Sequence, residues 1–218
     1  MGKDERKRQQ KLAKKRSKDN HKAQELARRK QQMQSAAEMM KLSSRGEITS
    51  CLLCDDSHRE MNGMVTVFLA RRAHDGRLAF ANYLVDCWCL GVKDVQLGIQ
   101  SPGDVREMLE ELKKNLQINR CQPERGRAIV EGGVAYAASL GLQPHPDYAK
   151  AKWLWGDVDV SQNVESVEFG FQGSPLYMPG PFEDDVRRTQ VVASLQETVG
   201  DGNFTFRLND DDLQRLGR

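Results

Sequence analysis

The sequence predicts an α+β protein with clustered antiparallel β-hairpins and several helices, preceded by a basic N-terminal helical arm. Segments rich in β-branched and aromatic residues occur in two groups, and three helix-like segments separate the groups. Strands that cluster in this way favour an α+β fold over a doubly wound sheet, in which single strands and helices alternate. We expect residues 1–46 to form the arm and residues 47–218 to form one domain.

Charge is divided unevenly along the chain. Residues 1–32 contain thirteen Lys and Arg but four Asp and Glu, a net charge of +9; the whole chain carries +2, so residues 33–218 carry −7. A basic extension on an acidic domain is typical of a tail that binds a polyanion. The arm residues expected to contact phosphate are Arg6, Lys7, Arg8, Lys11, Lys14, Lys15, Arg16, Arg28, Arg29 and Lys30.

The second half of the arm has the pattern of a helix. Leu26, Met33, Ala37 and Met40 lie near helical spacing, which predicts a helix over residues 20–43. The arm contains neither Trp nor Phe, and this disfavours a helix that lies in a membrane interface.

A β-hairpin opens the domain. Met64–Arg71 is rich in β-branched and aromatic residues and predicts a strand. The Asp-Gly pair in the turn Ala73–Gly76 is a strong hairpin signal, so the returning strand is expected over Leu78–Leu90, ended by Gly91.

Three helices are expected next, over Val105–Leu116, Glu124–Leu140 and Asp147–Trp155. Ser101 precedes the first as a capping residue, and Pro123 and Gly141 fit the start and the end of the second.

A second hairpin is predicted after these helices. Its short strands, Ser166–Phe171 and Pro175–Met178, are joined across Gln172–Ser174. A helix over Glu183–Val199 and a last strand over Asn203–Leu208 complete the chain.

Three segments resemble a family of uncharacterised conserved bacterial proteins. They are LVDCWCLGVKD at 84–94, GVAYAASLGLQPHPDY at 133–148, and FGFQGSPLY at 169–177, which is followed by Gly180-Pro181. The likeness covers about residues 50–182 and implies an intact domain. It implies no activity and assigns no functional residue.

The cysteines suggest a metal site as one reading. Cys51 and Cys54 form a CxxC pair, and Cys87 and Cys89 would share one face of a strand, so the four could together hold zinc. The alternative, which we favour, is that they are small core residues in a reducing compartment, with no cofactor. The odd number of cysteines, five, does not suggest a disulfide framework.

Carboxylates and a histidine supply an enzymatic alternative. Metal-dependent nucleases and hydrolases gather such groups around divalent ions. The candidates here are Asp86, Asp94, Glu131, His145 and Asp147. The structural alternative, which we favour, is that these residues cap turns and pair with neighbouring cations. No Gly-x-Ser-x-Gly elbow and no phosphate-binding loop occurs in the sequence.

Aromatic residues provide a further candidate for binding. Tyr148, Trp153 and Trp155 could stack on bases, although tryptophans after a helix are more often packing residues.

The sequence thus favours a cytoplasmic accessory or adaptor protein that binds RNA or the ribosome through its arm, with DNA as the other nucleic acid to consider. No apolar run approaches the roughly 18–20 residues needed to span a membrane, so no membrane partner is expected. The alternatives are the metal-dependent hydrolase and a protein–protein interaction module with a solubilising tail.

Overall fold

The computed structural model describes residues 18, 22, 25, 37–54, 60–160, 167–180 and 183–207. The chain divides into two compact units, residues 1–39 and residues 40–218. The described residues of the first unit are helical, and helical backbone extends over residues 37–43. The ten predicted phosphate contacts lie outside the described residues. The second unit begins at Met40, whereas the sequence places the end of the arm at residue 46.

A five-stranded antiparallel sheet forms the centre of the second unit, and with the helices it confirms the predicted α+β fold. The strand order is β4-β3-β2-β1-β5. The strands are β1 (Ile48–Cys54), β2 (Met64–Arg72), β3 (Leu78–Asp86), β4 (Gly91–Gln100) and β5 (Ile118–Arg120). The predicted hairpin of β2 and β3 is confirmed, since Arg72 pairs with Leu78 across the Asp-Gly turn.

In the described part of the chain, the helices that accompany the sheet are α1 (Pro102–Asn115), α2 (Pro123–Ser139), α3 (Tyr148–Ala151) and α4 (Asp185–Thr198). A 3₁₀ turn, Lys152–Trp155, continues α3. These elements confirm the predicted helices, and the capping signals explain why. The Ser101 hydroxyl accepts a hydrogen bond from the Asp104 N–H, and Gly141 has the positive φ of 73° that a residue after a helix often adopts.

Both faces of the sheet are covered by helices. Because side chains alternate along a strand, β2 sends Val67 and Leu69 into one hydrophobic cluster and Phe68 into another. The first cluster includes residues of α2 and the 3₁₀ turn, and the second includes Val105 of α1. A third cluster joins the end of α2 to α4. This sandwiching explains the nearly continuous burial of β2, in which seven consecutive residues are buried.

The prediction of one long strand over Leu78–Leu90 was wrong. The strand ends at Asp86, a turn follows, and Gly91 begins β4 instead of ending β3. The apolar residues of the turn carry no turn chemistry of their own. Asp86 supplies it, because its Oδ1 accepts hydrogen bonds from the N–H groups of Trp88 (2.9 Å) and Cys89 (3.1 Å).

The predicted second hairpin was also wrong. Within the described residues, Phe171 and Ser174 form an isolated bridge, and β6 (Leu176–Tyr177) pairs in parallel with β7 (Thr205–Phe206). The Gln172-Gly173 turn is present and is closed by the Phe171–Ser174 bridge, but from Leu176 onward the chain pairs with the distant β7. Strand β7 is the middle part of the strand predicted at Asn203–Leu208.

Residues 40–46 of the arm are fixed to the sheet. Met40 is fully buried in the first of these clusters, the one that includes residues of α2 and the 3₁₀ turn, which we call the main cluster. The buried Arg71 guanidinium donates to the carbonyl oxygens of Gly46 (2.7 Å) and Trp155 (2.9 Å). Hydrogen bonds to a charged donor are stronger than those between neutral groups, so Arg71 joins this part of the chain to the 3₁₀ turn.

No helix among the described residues is long and apolar enough to cross a bilayer.

Deleting residues 1–32 is therefore expected to leave the melting temperature of the remaining chain within about 2 °C of the full-length value. These residues contribute few apolar side chains, whereas Met40 remains in place. A thermal melt by circular dichroism measures the effect. The contrasting variant is Met40→Ala in the full chain, which should lower the free energy of unfolding by roughly 2–5 kcal/mol. A loss of about ten degrees on deletion would contradict the expectation.

Candidate functional site

The turn between β3 and β4 is a meeting point of distant segments. The Gly170 N–H donates to the Cys87 carbonyl oxygen (2.9 Å), and the Leu176 N–H donates to that of Trp88 (3.1 Å). The rings of Trp88 and Phe171 lie edge to face with centroids 4.8 Å apart. The segment 169–177 is thus held against the turn by both backbone and side-chain contacts.

Helix α2 reaches the same turn through glycines. A Cβ added at Gly91 would lie 2.3 Å from the Gly133 carbonyl oxygen, and Gly91 has a φ of +63°. A side chain at this position would therefore be excluded by space and strained by conformation. Just beyond, the His145 N–H donates to the Val92 carbonyl oxygen (2.8 Å). Residues 84–94, 133–148 and 169–177 consequently lie together in space.

Asp86 is the buried acid at the centre of this region, with a side chain 2% exposed. Burial raises the pKa of this carboxyl to about 6, although the backbone N–H of Trp88 and the charge of Lys93 oppose the rise. Cys89 is also buried, and its burial, followed by the charge of Asp86, raises the pKa of its thiol. Asp86 therefore accepts the hydrogen bonds that form the turn, and its carboxyl is buried from solvent.

Lys93 stands in a β-bulge. Asp94 pairs with Leu84 and Val92 pairs with Val85, which leaves Lys93 as the extra residue on β4. Bulges redirect side chains, and here the Lys93 ammonium lies 3.7 Å from Glu183 Oε2.

Glu183 connects several elements near the start of α4. Its Oε1 accepts from the Tyr177 hydroxyl (2.7 Å) and its Oε2 from the Gly180 N–H (2.9 Å). Burial and the adjacent carboxylate raise the pKa of Tyr177. The sequence did not single out Glu183 or Tyr177; they contact each other within one short segment, and only Lys93 comes from a distant part of the chain. These contacts give the network a structural role, joining β4 to the loop before α4.

Of the other candidate residues, Glu131 lies apart on α2, whereas Asp94 and Asp147 are neighbours of His145. Glu131 accepts from Arg127 Nε (2.8 Å) along α2. His145 lies between two acids: its Nε2 is 3.7 Å from Asp94 Oδ1, and its Nδ1 accepts from the Asp147 N–H (3.3 Å). Asp147 is also paired with Lys150 at 2.5 Å.

These positions do not assemble into a metal centre. Among the described residues, no three His, Cys, Asp or Glu side chains are grouped so that they could hold a metal ion. Asp86 hydrogen-bonds to the turn after β3, and Glu131 pairs with Arg127 within α2. His145 accepts a hydrogen bond from the Asp147 N–H just before α3.

The four cysteines considered as the alternative zinc site, which all lie in the described part of the chain, do not form a group that could hold a metal ion. Cys54 Sγ accepts from the Thr66 N–H (3.0 Å), Cys87 lies in the main cluster, and Cys89 lies in the cluster with α4. None of the five cysteines, all of them described, is in a disulfide. Cys51 instead lies beside Cys121, with the two Sγ atoms 3.4 Å apart. No local sequence signal indicates this pair, because it depends on β5 lying beside β1.

The three aromatic candidates differ sharply in exposure. Trp155 is fully buried and stacks on Tyr83 with centroids 5.7 Å apart, and Tyr148 packs against the main cluster. Trp153 is 45% exposed. Two ammonium groups face its ring, that of Lys41 at 5.0 Å and that of Lys152 at 5.9 Å from the centroid.

No protein-family model, curated protein or solved structure matches this chain. Its own residues therefore carry the functional inference.

Replacing Asp86 by Asn is expected to change how stability depends on pH. A carboxyl whose pKa is raised by folding binds its proton more tightly in the folded state. Its contribution to stability is therefore present at low pH and is lost as the pH rises from about 4 through about 6. Asn has no proton to lose and keeps an acceptor oxygen for the turn.

Urea unfolding at about pH 4 and about pH 7 measures this change, and the quantity of interest is the difference between variant and wild type. That difference should move by roughly 2–3 kcal/mol in favour of Asp86→Asn at the higher pH. Asp201→Asn, at an exposed carboxyl in the turn after α4, is the matched control. Equal pH dependence in the wild type and in Asp86→Asn would refute the buried-acid interpretation.

Proposed function

We propose that this chain is an accessory protein that binds RNA, free or within a ribosome, through the basic residues between positions 3 and 30. The observation that carries the proposal is the charge division, +9 in residues 1–32 against −7 in the remainder. Lys and Arg that neutralise phosphates release condensed counterions, and this release supplies most of the free energy of non-specific binding. The acidic remainder repels phosphate, which concentrates binding on the arm.

Trp153 supplies a second contact of matching chemistry. Its exposed ring is flanked by Lys41 and Lys152, so a base stacked on the free part of the ring would have its phosphates near two ammonium groups. Aromatic stacking is open to every base because each has a π-face. This arrangement favours single-stranded RNA with little sequence preference.

Arg71 holds this corner of the domain together. Its hydrogen bonds to Gly46 and Trp155 connect the chain that follows Lys41 with the 3₁₀ turn that carries Trp153. The buried Arg71 therefore stabilises the positions of the two chain segments that carry Lys41, Lys152 and Trp153. The metal-dependent hydrolase is the weaker hypothesis, because its five candidate residues do not converge.

RNA affinity should fall steeply with salt. If about six to eight arm cations engage phosphates, the association constant should drop on the order of 10³-fold or more between about 50 and 200 mM salt. Neutralising Arg6, Lys7 and Arg8 to Gln should reduce the salt slope by roughly two to three units. Fluorescence anisotropy with a labelled single-stranded RNA, repeated with DNA of the same sequence, measures both effects.

The matched control neutralises three exposed cations of α1, Arg106, Lys113 and Lys114, also to Gln. This variant removes the same charge from the domain and should leave the salt slope unchanged. Binding that ignores salt, or equal slopes in the two triple variants, would remove the arm as the electrostatic anchor. Tighter binding of the DNA would reassign the natural nucleic acid.

Trp153→Ala should weaken binding of single-stranded RNA roughly 5- to 100-fold, as expected for the loss of one stacked base. Trp153→Phe should retain most of the affinity, and Val186→Ala, at an exposed apolar residue of α4, should have no effect. Paired bases are not free to stack, so duplex RNA should bind both Trp153 variants equally. Loss of affinity for duplex RNA in Trp153→Ala would argue against stacking.

A further inference from the structure

Cys51 and Cys121 face each other across two neighbouring strands. Cys51 lies in β1, and Cys121 directly follows β5. The Cys121 N–H donates to the Cys51 carbonyl oxygen (3.1 Å), which continues the β1–β5 ladder to this pair. The Sγ atoms are 3.4 Å apart. A disulfide needs about 2.05 Å, so side-chain rotation and a small backbone shift would bring the two sulfurs to bonding distance.

The two thiols have different surroundings. Cys51 is 7% exposed and lies under α2, where a Cβ on Gly126 would come within 3.1 Å of its sulfur. Cys121 is partly exposed and precedes Gln122, which occupies the N-cap position of α2. The positive end of a helix dipole stabilises a nearby thiolate. The exposed member of the pair is thus the one beside the helix terminus.

Hydrogen bonding distinguishes them further. The hydrogen bond with Cys51, the Arg125 charge and the Gly126 N–H lower the pKa of Cys121, although burial and the Glu124 charge oppose them. Conversely, the Cys121 partner and burial raise the pKa of Cys51. Partial exposure and a position at the start of α2 make Cys121 the nucleophile of the pair, and Cys51 is the thiol beside it.

We propose that Cys51 and Cys121 form a reversible disulfide when the protein meets hydrogen peroxide. The Cys121 thiolate attacks one peroxide oxygen, the O–O bond breaks, and hydroxide leaves with the second oxygen; it takes up the proton that the Cys121 thiol released on ionisation and becomes the first water. Cys121 becomes a sulfenic acid. The Cys51 sulfur then attacks the sulfenic sulfur, the S–O bond breaks, and the oxygen leaves as water with the Cys51 proton. Two thiol sulfurs are oxidised by two electrons in total, one peroxide is reduced to two waters, and a dithiol reductant reverses the change.

The remaining cysteines provide an internal comparison. Cys54, Cys87 and Cys89 are all at most 3% exposed, and peroxide reacts with exposed thiolates in preference to buried thiols. Oxidation should consequently begin at Cys121. The cross-link would join β1 to the start of α2, and it is independent of the proposed binding of RNA.

The test uses the reduced full-length protein, freed of reductant and treated with one equivalent of hydrogen peroxide. Remaining thiols are alkylated, and tryptic peptides are analysed by mass spectrometry. The expected product joins the peptide 121–125 to the peptide 46–59, and fragmentation places the bond at Cys51 instead of Cys54. Dithiothreitol should release both peptides. A reduced Cys121, or a sulfinic acid there without a cross-link, would overturn the proposal.

Three variants separate the steps. Cys51→Ser should leave a sulfenic acid at Cys121 that dimedone traps, and Cys121→Ser should leave Cys51 unoxidised. Cys54→Ser, altered within the same tryptic peptide, should cross-link like the wild type. Circular dichroism checks the fold of each variant, and the wild-type result alone decides whether the disulfide forms.

The rate of alkylation tests the thiolate directly. In the native protein, iodoacetamide should modify Cys121 at least roughly tenfold faster than Cys54, Cys87 or Cys89. Arg125→Gln should move the pH profile of Cys121 alkylation to higher pH, because it removes a positive charge that favours the thiolate. An unchanged profile, together with equal rates at all buried and exposed cysteines, would contradict the assigned nucleophile.

Discussion

The close contact between α2 and the β3–β4 turn is the constraint on which the rest of the domain depends. It requires Gly91 on the turn and Gly133 on the helix, because a Cβ on either would meet atoms at less than 3 Å. Once α2 is seated there, it closes one face of the sheet with its middle residues and builds the cluster with α4 at its end. The segment 169–177 also binds to this turn, through two backbone hydrogen bonds. One helix–turn contact therefore determines where three chain segments lie.

A buried cation performs a comparable task on the same face of the sheet, at the opposite end of β2 and β3 from this turn. Arg71 is 4% exposed and is held by two carbonyl oxygens and by the exposed carboxylate of Asp157, 3.3 Å away. A buried charge is tolerated when hydrogen bonds replace its hydration. Here those bonds also connect the chain after the arm to the turn that carries Trp153. The stability of the domain and the presentation of its exposed tryptophan thus share one residue.

Signals that act within a few residues made part of the fold predictable. Asp75-Gly76 marked the first hairpin, and Ser101, Pro123 and Gly141 marked helix ends, because each acts on its immediate neighbours. The turn after β3 was missed although its signal is also local: Asp86 accepts hydrogen bonds from the N–H groups two and three residues on, but the apolar residues that follow it have the composition of a continuing strand. The parallel pairing of β6 with β7 was missed for a different reason, since long-range pairing leaves no local signal.

The same distinction holds for the candidate sites. Trp153 could be nominated from the sequence, but its exposure and that of its neighbour Trp155 are set by tertiary packing. The Lys93–Glu183 contact and the Cys51–Cys121 pair each join residues from separate parts of the chain. The basic arm is a property of composition alone, and this is why the sequence shows it most clearly.

The bulge at Lys93 also affects self-association. Strand β4 is an outer strand of the sheet, and outer strands with regular, unpaired backbone groups are templates for edge-to-edge aggregation. The bulge interrupts that regularity, and the His145 N–H already occupies the Val92 carbonyl oxygen. The polar residues Lys93, Asp94 and Gln96 make the strand still less suitable for a second copy. The irregularity that directs Lys93 towards Glu183 thereby also protects the sheet against intermolecular strand addition.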